Sequence, residues 1–415
     1  METGKALGGK PYAENPHVRF DEGEVASAAT PRRGSLLYAE NVTRTVCAWL
    51  TLALSLASSA AHGGAAADCA RIFEAEMRER VIHGATVMAG DVNGTDVVAS
   101  WGWADAAHTI PMTPRTVIDM ASVTKTAAGV TAYLVAHARG KVDVDMPFTN
   151  YLPAYSAALP RTITLRDLAN HVSGFGEADG RGKRVYFSDD PRTMLRNILS
   201  MPPKNPLTGK VVYCCRNYVL LGQAFEATLG CRAADFCRKE IFQPAGMSDT
   251  SLGAPLPSIA PERLAQTCGT KKGGVISDFL AARPLWAAGI GTFNAGLFST
   301  AEDMAKLMRV YLRGGTCDDG TRLFGEAEMA LIAPSATNKI EGARTFGWQS
   351  ASENLPPELF GTSLFHSGWS GQTVLFDLKR RRYAIVITTR CGAYKRAKRE
   401  RFEAIGILMR EGAGR

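Results

Sequence analysis

The chain has 415 residues, of which 46% are hydrophobic and 21% carry a charge. These values are ordinary for a globular protein with a full core, and the length fits one large or two modest domains. Much of the formal net charge of +8 lies in two basic runs, residues 379–382 and 395–399. We interpret the first run as a turn between two strands and the second as the solvated start of a helix. Nucleic-acid binding is therefore not expected.

The cysteines and histidines do not indicate a metal centre. None of the nine cysteines forms a Cys-x-x-Cys pair, and the seven histidines show no metal-ligand spacing. The chain also lacks a Walker A loop, a Gly-x-Gly-x-x-Gly loop and a Gly-x-Ser-x-Gly elbow. We expect neither a metal nor a cofactor, and nucleotide chemistry has no support.

The N-terminal region is typical of an exported protein. Residues 1–43 are polar, rich in Gly and Pro, and without a hydrophobic period, which indicates a disordered leader or a mis-called translation start. Residues 44–67 combine a basic residue, a short apolar core and small residues, as a signal peptide or anchor does. If it is not cleaved, the apolar run at 45–61 is a possible membrane tether. We expect a secreted, periplasmic or membrane-tethered protein. The sequence does not indicate its oligomeric state.

Hydrophobic periodicity predicts strands towards both ends of the chain and helices between them. Strands over 86–92 and 95–101 are joined by Asn93-Gly94, the typical turn of a hairpin. Further strands are predicted over 363–366, 373–378 and 383–389, the last two forming a hairpin around the first basic run. Helices are predicted over 70–82, 127–138, 164–171, 190–201, 217–229, 233–242, 299–311 and about 399–410.

This order of elements predicts an α/β (α+β) fold. One antiparallel sheet is built from both chain ends and covered by the terminal helices, and a mostly helical domain is inserted into it. The predicted α/β domain comprises residues 68–126 and 271–415, and the inserted domain comprises residues 127–270.

Ser122 and Lys125 are the first candidate catalytic residues. They stand three residues apart at the start of a predicted helix, so that the hydroxyl and the amine share one face. The free N–H groups of a helix N-terminus favour a developing oxyanion and make a nearby ammonium easier to deprotonate. A neutral lysine can then take the serine proton, as nucleophilic catalysis requires. The alternative interpretation is an N-cap serine followed by a solvated lysine.

Further motifs follow in a fixed order. With them, the chain resembles the serine β-lactamase and penicillin-binding-protein superfamily, in particular its class C β-lactamase-related branch of esterases and D-alanyl-D-alanine carboxypeptidases. The resemblance covers about residues 70–410 and implies a β-lactamase/transpeptidase-like fold. It rests on these segments: Ser122-Val-Thr-Lys125, 168–175 (LANHVSGF), Tyr213-Cys-Cys215 with 217–222 (NYVLLG), 244–247 (PAGM), 296–303 (GLFSTAED) and His366-Ser-Gly368.

The resemblance implies a role for each matching residue. Ser122 corresponds to the acylated nucleophile, Lys125 to the amine that activates it, and Tyr213 to a tyrosine that shuttles protons with the lysine. The segment His366-Ser367-Gly368 corresponds to the Lys-Thr-Gly element, for which His-x-Gly is a common form in the esterase-like branch. The backbone N–H groups of Ser122 and Trp369 would form an oxyanion hole.

One position departs from the family pattern. Cys215 replaces the asparagine of the Tyr-x-Asn motif, and a thiol cannot reproduce the hydrogen bonds of a carboxamide. The leading hypothesis is therefore a serine hydrolase that acts on esters, small amides or D-amino-acid peptides, with esters preferred over β-lactams. The alternatives are a catalytically degraded relative that binds peptides or acts as a scaffold, and an acyltransferase that uses the same serine. In each case the expected partner is a small molecule or a peptide.

Overall fold

The computed structural model describes residues 64–159, 162–176, 188–203, 210–266, 282–334 and 342–410. The predicted leader, the possible tether and most of the predicted signal segment lie outside these residues. Within the described ranges, no helix combines the length and the apolarity needed to cross a membrane.

The described strands are β1 (Ile82–Asp91), β2 (Thr95–Gly102), β3 (Ile118–Asp119), β4 (Ser251–Leu252), β5 (Leu297–Ser299), β6 (Arg344–Thr345), β7 (Trp348–Gln349), β8 (Ser363–Ser367), β9 (Gln372–Asp377) and β10 (Arg382–Arg390). The described α-helices are α1 (Gly64–Arg78), α2 (Thr131–Ala138), α3 (Phe148–Tyr151), α4 (Leu165–Ala169), α5 (Pro191–Ser200), α6 (Cys215–Leu229), α7 (Ala233–Cys237), α8 (Ala282–Ala287), α9 (Ala301–Leu312), α10 (Glu326–Leu331) and α11 (Tyr394–Arg410).

Strands from both chain ends form one antiparallel sheet of seven strands, in the order β2-β1-β10-β9-β8-β7-β6. At its centre, Thr86 of β1 lies opposite Ile387 of β10. This arrangement confirms the predicted fold class. A separate sheet joins β3, β5 and β4. The sequence analysis missed it because strands of two or three residues show no measurable alternation.

Both faces of the large sheet are buried. The terminal helices α1 and α11 cover one face, where the ring of Phe402 packs edge-on against Phe365 with 5.2 Å between ring centroids. On the other face, Tyr311 of α9 stacks on Phe376 at 4.9 Å. Neighbouring residues of a strand point to opposite faces, so alternate residues of β8 face the terminal helices and the other layer. This alternation places His366 on the face opposite to Phe365.

Capping side chains fix the start of several helices. Thr164 accepts a hydrogen bond from the Asp167 N–H, and the Asp167 carboxylate accepts one from Thr164, which completes a capping box for α4. Thr300 caps α9 by accepting a hydrogen bond from the Asp303 N–H. Helix α1 begins at Gly64, inside the predicted signal segment, and Ala66 is already fully buried. Cleavage after residue 67 would remove this first turn.

Two helix boundaries differ from the sequence prediction in ways that affect the candidate site. Helix α6 begins at Cys215, two residues earlier than predicted, so the thiol lies in its first turn. The predicted helix over 127–138 is α-helical only from Thr131. It follows a 3₁₀ turn (Ala121–Val123) and a π-helical segment (Lys125–Val130). The wider π turn is supported by the Thr131 hydroxyl, which donates to the Thr126 carbonyl five residues earlier at 3.1 Å.

Candidate active site

The 3₁₀ turn that carries Ser122 is held by two hydrogen bonds from the backbone just before the serine. The Met120 N–H donates to the Leu297 carbonyl of β5 (2.8 Å), and the Ala121 N–H donates to the Asp119 carboxylate (2.8 Å). Ala121 itself has a positive φ of +46°, a conformation that costs an L-residue about 1–2 kcal/mol. The chain therefore turns sharply just before Ser122.

Lys125 is fully buried, and its amine has three polar neighbours. Its Nζ lies 3.1 Å from Ser122 Oγ, 2.7 Å from the Asn294 carbonyl oxygen and 3.5 Å from Cys215 Sγ. The residue contributes no solvated surface, which excludes the alternative of an N-cap serine with a solvated lysine. The amine is fixed beside the hydroxyl.

Tyr213, which lies just before α6, contacts the Ser122 hydroxyl as well. Its phenol oxygen lies 2.8 Å from Ser122 Oγ, and Lys125 Nζ lies 5.1 Å from the centre of its ring. The structure thus brings all three predicted catalytic residues together, with the Ser122 oxygen between an amine and a phenol. This arrangement can move a proton on and off a serine hydroxyl.

His171 supports the segment that carries Tyr213. The two rings are 4.6 Å apart between centroids, and His171 Nδ1 faces the Cys214 N–H at 3.2 Å. The His171 carbonyl also accepts a hydrogen bond from the Val212 N–H at 2.8 Å. The histidine therefore packs against the turn that presents the phenol and is hydrogen-bonded to it.

Cys215 stands where the family pattern has an asparagine, and no neighbouring carboxamide takes over that contact with Lys125. Cys215 meets the Lys125 amine through sulfur, whose hydrogen bonds are weak. Asn217 does not take its place, because its carboxamide is buried against other partners. Its Nδ2 lies 3.2 Å from His171 Nδ1, and its Oδ1 accepts a hydrogen bond from the Ser173 hydroxyl at 2.8 Å.

The strand β8 lies directly against the nucleophile segment. A Cβ atom added to Gly368 would lie 2.8 Å from the Met120 carbonyl oxygen and 3.4 Å from Ala121 Cβ. Ser367 meets Thr373 of β9 through its hydroxyl at 3.0 Å. These contacts bring the His366-Ser367-Gly368-Trp369 segment next to Ser122, as an oxyanion hole would require. The role of the Ser122 and Trp369 N–H groups remains a prediction.

His366 is buried and does not supply a positive charge at neutral pH. Its Nδ1 lies 3.1 Å from the Ser367 carbonyl oxygen, and its Nε2 has no hydrogen-bond partner among the described residues. Burial lowers the pKa of His366 well below its usual value, and the charges of Arg344 and Lys125 lower it further. The imidazole is therefore neutral near pH 7.

Sequence reasoning missed two further groups at the site. The Asn294 carbonyl binds the lysine amine, but a backbone oxygen has no sequence signal. The guanidinium of Arg344 lies 5.7 Å from the centre of the Tyr213 ring. Arg344 belongs to the two-residue strand β6, too short for any period, so only its fold position reveals it.

Comparisons with known proteins agree with this geometry. A family model described as Beta-lactamase matches residues 69–406. The chain belongs to the β-lactamase family. This β-lactamase-family protein is 27% identical over 296 residues to an Escherichia coli K12 protein that carries the provisional name D-alanyl-D-alanine carboxypeptidase. That match covers 65% of this chain and 68% of the relative.

Solved structures confirm the fold of the β-lactamase-family chain. A class C β-lactamase from Rhodobacter sphaeroides matches with a TM-score of 0.65 and 20% identity, over 82% of this chain and 99% of that chain. EstCE1, described as a hydrolase with promiscuous acyltransferase activity, matches with a TM-score of 0.67 and 18% identity, over 82% and 98%. The family match makes this chain a member of a hydrolase family, and the structural neighbours share its fold.

Proposed function

We propose that this protein is a serine hydrolase that forms an acyl-enzyme on Ser122. The observation that supports the proposal is the position of Ser122 Oγ, 3.1 Å from Lys125 Nζ and 2.8 Å from the Tyr213 phenol. A nucleophile within hydrogen-bond reach of two groups that exchange protons is the arrangement that acyl transfer requires.

The proposed reaction proceeds in two stages. In the first, the Lys125–Tyr213 pair, with one member deprotonated, takes the Ser122 proton while Oγ attacks the substrate carbonyl carbon. The carbonyl oxygen becomes an oxyanion, which the N–H groups of Ser122 and Trp369 bind, and the bond to the leaving group breaks as Tyr213 returns the proton. In the second stage, the same pair takes a proton from water, whose oxygen attacks the acyl carbon. The bond between that carbon and Ser122 Oγ then breaks, the acid is released, and the pair returns the proton to Oγ.

Esters are the proposed substrates of choice. In the family pattern, an asparagine amide orients the lysine and meets the amide of the substrate, whereas here the same position presents the Cys215 sulfur at 3.5 Å from Lys125 Nζ. An amide substrate would lose this contact, while an ester depends on it less. We therefore expect p-nitrophenyl esters to be turned over faster than a chromogenic cephalosporin or a D-Ala-D-Ala peptide.

A fluorophosphonate probe and a substrate panel test the proposal together. Wild-type protein should become labelled and hydrolyse the esters, and Ser122→Ala should lose both activities. Ser248→Ala is the matched control, because Ser248 is an exposed serine outside the site. Absence of labelling in well-folded wild-type protein at every pH would support the degraded, peptide-binding relative instead. A cephalosporin rate above every ester rate would overturn the substrate ranking.

An acyltransferase is the second candidate, because the structural neighbour EstCE1 is described as having such an activity. The same serine and the same acyl-enzyme would serve, with an alcohol or amine in place of water in the second stage. Product analysis with and without a nucleophilic acceptor separates the two activities. Hydrolysis predicts only free acid in both conditions, and transfer predicts a new ester or amide.

We also propose that the protein is exported, through the segment at 44–67. The support is the sequence pattern itself, together with the provisional name of the Escherichia coli relative, a carboxypeptidase of D-alanyl-D-alanine. Fractionation of cells that express the full chain tests this. Recovery of all the protein in the cytoplasmic fraction would contradict it.

A further inference from the structure

A buried arginine lies behind the strands that lead to the nucleophile segment. Arg401 of α11 is fully buried, and its Nε donates to the Thr373 hydroxyl of β9 at 3.1 Å. A second nitrogen, Nη1, donates to the Ala397 carbonyl at 3.1 Å, and Nη2 has no hydrogen-bond partner among the described residues. The partners that the structure describes for this guanidinium are therefore neutral.

The charge of Arg401 is not offset by a carboxylate within the described part of the chain. Burial lowers the pKa of Arg401 to about 10, Tyr394 raises it and Arg390 lowers it, and no carboxylate is a main cause of the shift. A buried cation without an anionic partner lowers the stability of the fold. A side chain that is costly in this way indicates a functional role, because proteins break such local rules mainly at functional sites.

The Thr373 hydroxyl has a second contact, which leads towards the candidate site. Thr373 lies opposite Ser367 in the pairing of β9 with β8, and the two hydroxyl oxygens are 3.0 Å apart. Thr373 is fully buried, whereas Ser367 is only partly buried. Ser367 ends β8 directly before Gly368, which lies against the Met120 carbonyl. A chain of hydrogen bonds therefore runs from Arg401 through Thr373 to a hydroxyl at the site.

The guanidinium sets the direction of this chain. Since a guanidinium has donors and no acceptor, the Thr373 oxygen accepts the bond from Arg401. Thr373 has one proton of its own, and among the described residues the Ser367 oxygen is the acceptor within its reach. A buried hydroxyl proton without an acceptor would cost stability, so Thr373 donates to Ser367. The Ser367 proton is then left for a group in the site.

We propose that Arg401 is a positioning residue that acts through Thr373 to hold Ser367 as a hydrogen-bond donor towards the bound substrate. The inference rests on the proposed function. Each hydrogen bond in the chain polarises the next, so Arg401 strengthens the Ser367 donor without touching the substrate. The substrate atom that meets Ser367 is an acceptor, such as an oxygen of the ester. An N–H group at the same place would face a second donor.

The kcat/KM for a p-nitrophenyl ester measures the effect. Ser367→Ala and Arg401→Met should each lower it by about tenfold, as the loss of one hydrogen bond to the substrate predicts. In the Ser367→Ala background, Arg401→Met should add a loss of less than about twofold, because the donor that it acts on is already absent. Arg399→Met is the matched control. Arg399 is an exposed arginine of the same helix, paired with Glu400, and its loss should leave kcat/KM unchanged.

A double variant tests the direction of the chain. Without Arg401, the Thr373 oxygen can accept the Ser367 proton, which turns that proton away from the site. Replacing Thr373 by valine removes this acceptor, so Arg401→Met/Thr373→Val should be faster than Arg401→Met by at least about threefold. The urea midpoint of Arg401→Met should equal or exceed that of wild type, because the substitution removes an unpaired buried charge.

The outcomes separate this inference from the proposed function. No ester hydrolysis by folded wild type would refute the serine hydrolase and this inference with it. Hydrolysis that Ser367→Ala leaves unchanged, or equal losses from Arg401→Met with and without the Ser367 hydroxyl, would refute the inference alone. A double variant no faster than Arg401→Met would do the same. A lower urea midpoint in Arg401→Met would assign Arg401 to the support of the fold and overturn its positioning role.

Discussion

Gly368 follows directly after strand β8, where the chain passes the nucleophile segment, and it has no room for a side chain. In Gly368→Ala, the new methyl group would lie 2.8 Å from the Met120 carbonyl and 2.4 Å from Gln372 Oε1. The Gln372 side chain can move, but the Met120 carbonyl belongs to the backbone two residues before Ser122. Relief to the 3.4 Å of ordinary contact requires a displacement of about 0.6 Å between the two segments.

That displacement is large for an oxyanion hole. Its donors act within about 2.7–3.1 Å of the oxyanion, and the loss of one donor costs roughly 10²–10³ in kcat, or about 2.7–4 kcal/mol. We therefore expect Gly368→Ala to lower kcat for a p-nitrophenyl ester by about 100-fold or more. Overpacking should also lower the free energy of unfolding by about 1–3 kcal/mol.

Steady-state kinetics and urea unfolding measure the two effects. Gly94→Ala is the control for a general glycine effect, because a Cβ at Gly94 would meet nothing within 4 Å. Single-turnover labelling by a fluorophosphonate should slow in parallel with kcat in Gly368→Ala. If Gly368→Ala kept wild-type kcat while remaining folded, β8 would not form part of the reacting site, and the assignment of the Trp369 N–H to the oxyanion would fall with it.

Three other changes should have distinct effects. Cys215→Asn restores the carboxamide of the family pattern, and the ratio of cephalosporin to ester turnover should rise by roughly tenfold; an unchanged ratio would show that the thiol does not limit amide substrates. Arg390→Met removes the 2.7 Å hydrogen bond from Nε to the Trp369 carbonyl. Because this bond holds the Trp369 backbone, kcat should fall by about 3- to 10-fold with KM nearly constant. A change confined to KM would contradict the proposed role of the Trp369 N–H. His171 and His366 have lowered pKa values when folded, so the unfolded chain binds more protons below about pH 6.5, and stability should fall with falling pH by up to about 1.4 kcal/mol per unit for each histidine. In urea unfolding between pH 5 and 7.5, His366→Gln should have a shallower slope than wild type, and an identical slope would exclude the neutral imidazole.

The order of motifs along the chain was enough to predict the fold class. The predicted strands at both ends and the helices between them are confirmed, because each of these elements depends on residues close in sequence. One antiparallel sheet built from both chain ends was predicted from this order of elements, whereas the pairing of β1 with β10 is seen only in the structure. The short strands, the π-helical segment after Lys125 and the start of α6 at Cys215 depend on packing between distant segments, which local patterns do not encode.

In the candidate site too, residues with a local sequence pattern were predicted, and groups placed only by the fold were missed. Ser122, Lys125 and Tyr213 were predicted from short motifs, and the structure places the amine and the phenol within 3.1 Å of Ser122 Oγ. Arg344 was missed because its strand has two residues and no motif around it. The Asn294 contact was missed because it uses a backbone oxygen, which any residue could provide. Groups that act through position alone are visible only in the folded chain.

The left-handed backbone at Ala121 has a consequence for how this protein tolerates change. Its φ of +46° is retained one residue before the proposed nucleophile, although glycine would adopt it at lower cost. Strain of this kind persists only where surrounding contacts enforce it. Selection for heat resistance would therefore favour variants in which the backbone at Ala121 is no longer strained. Those variants would be slower catalysts.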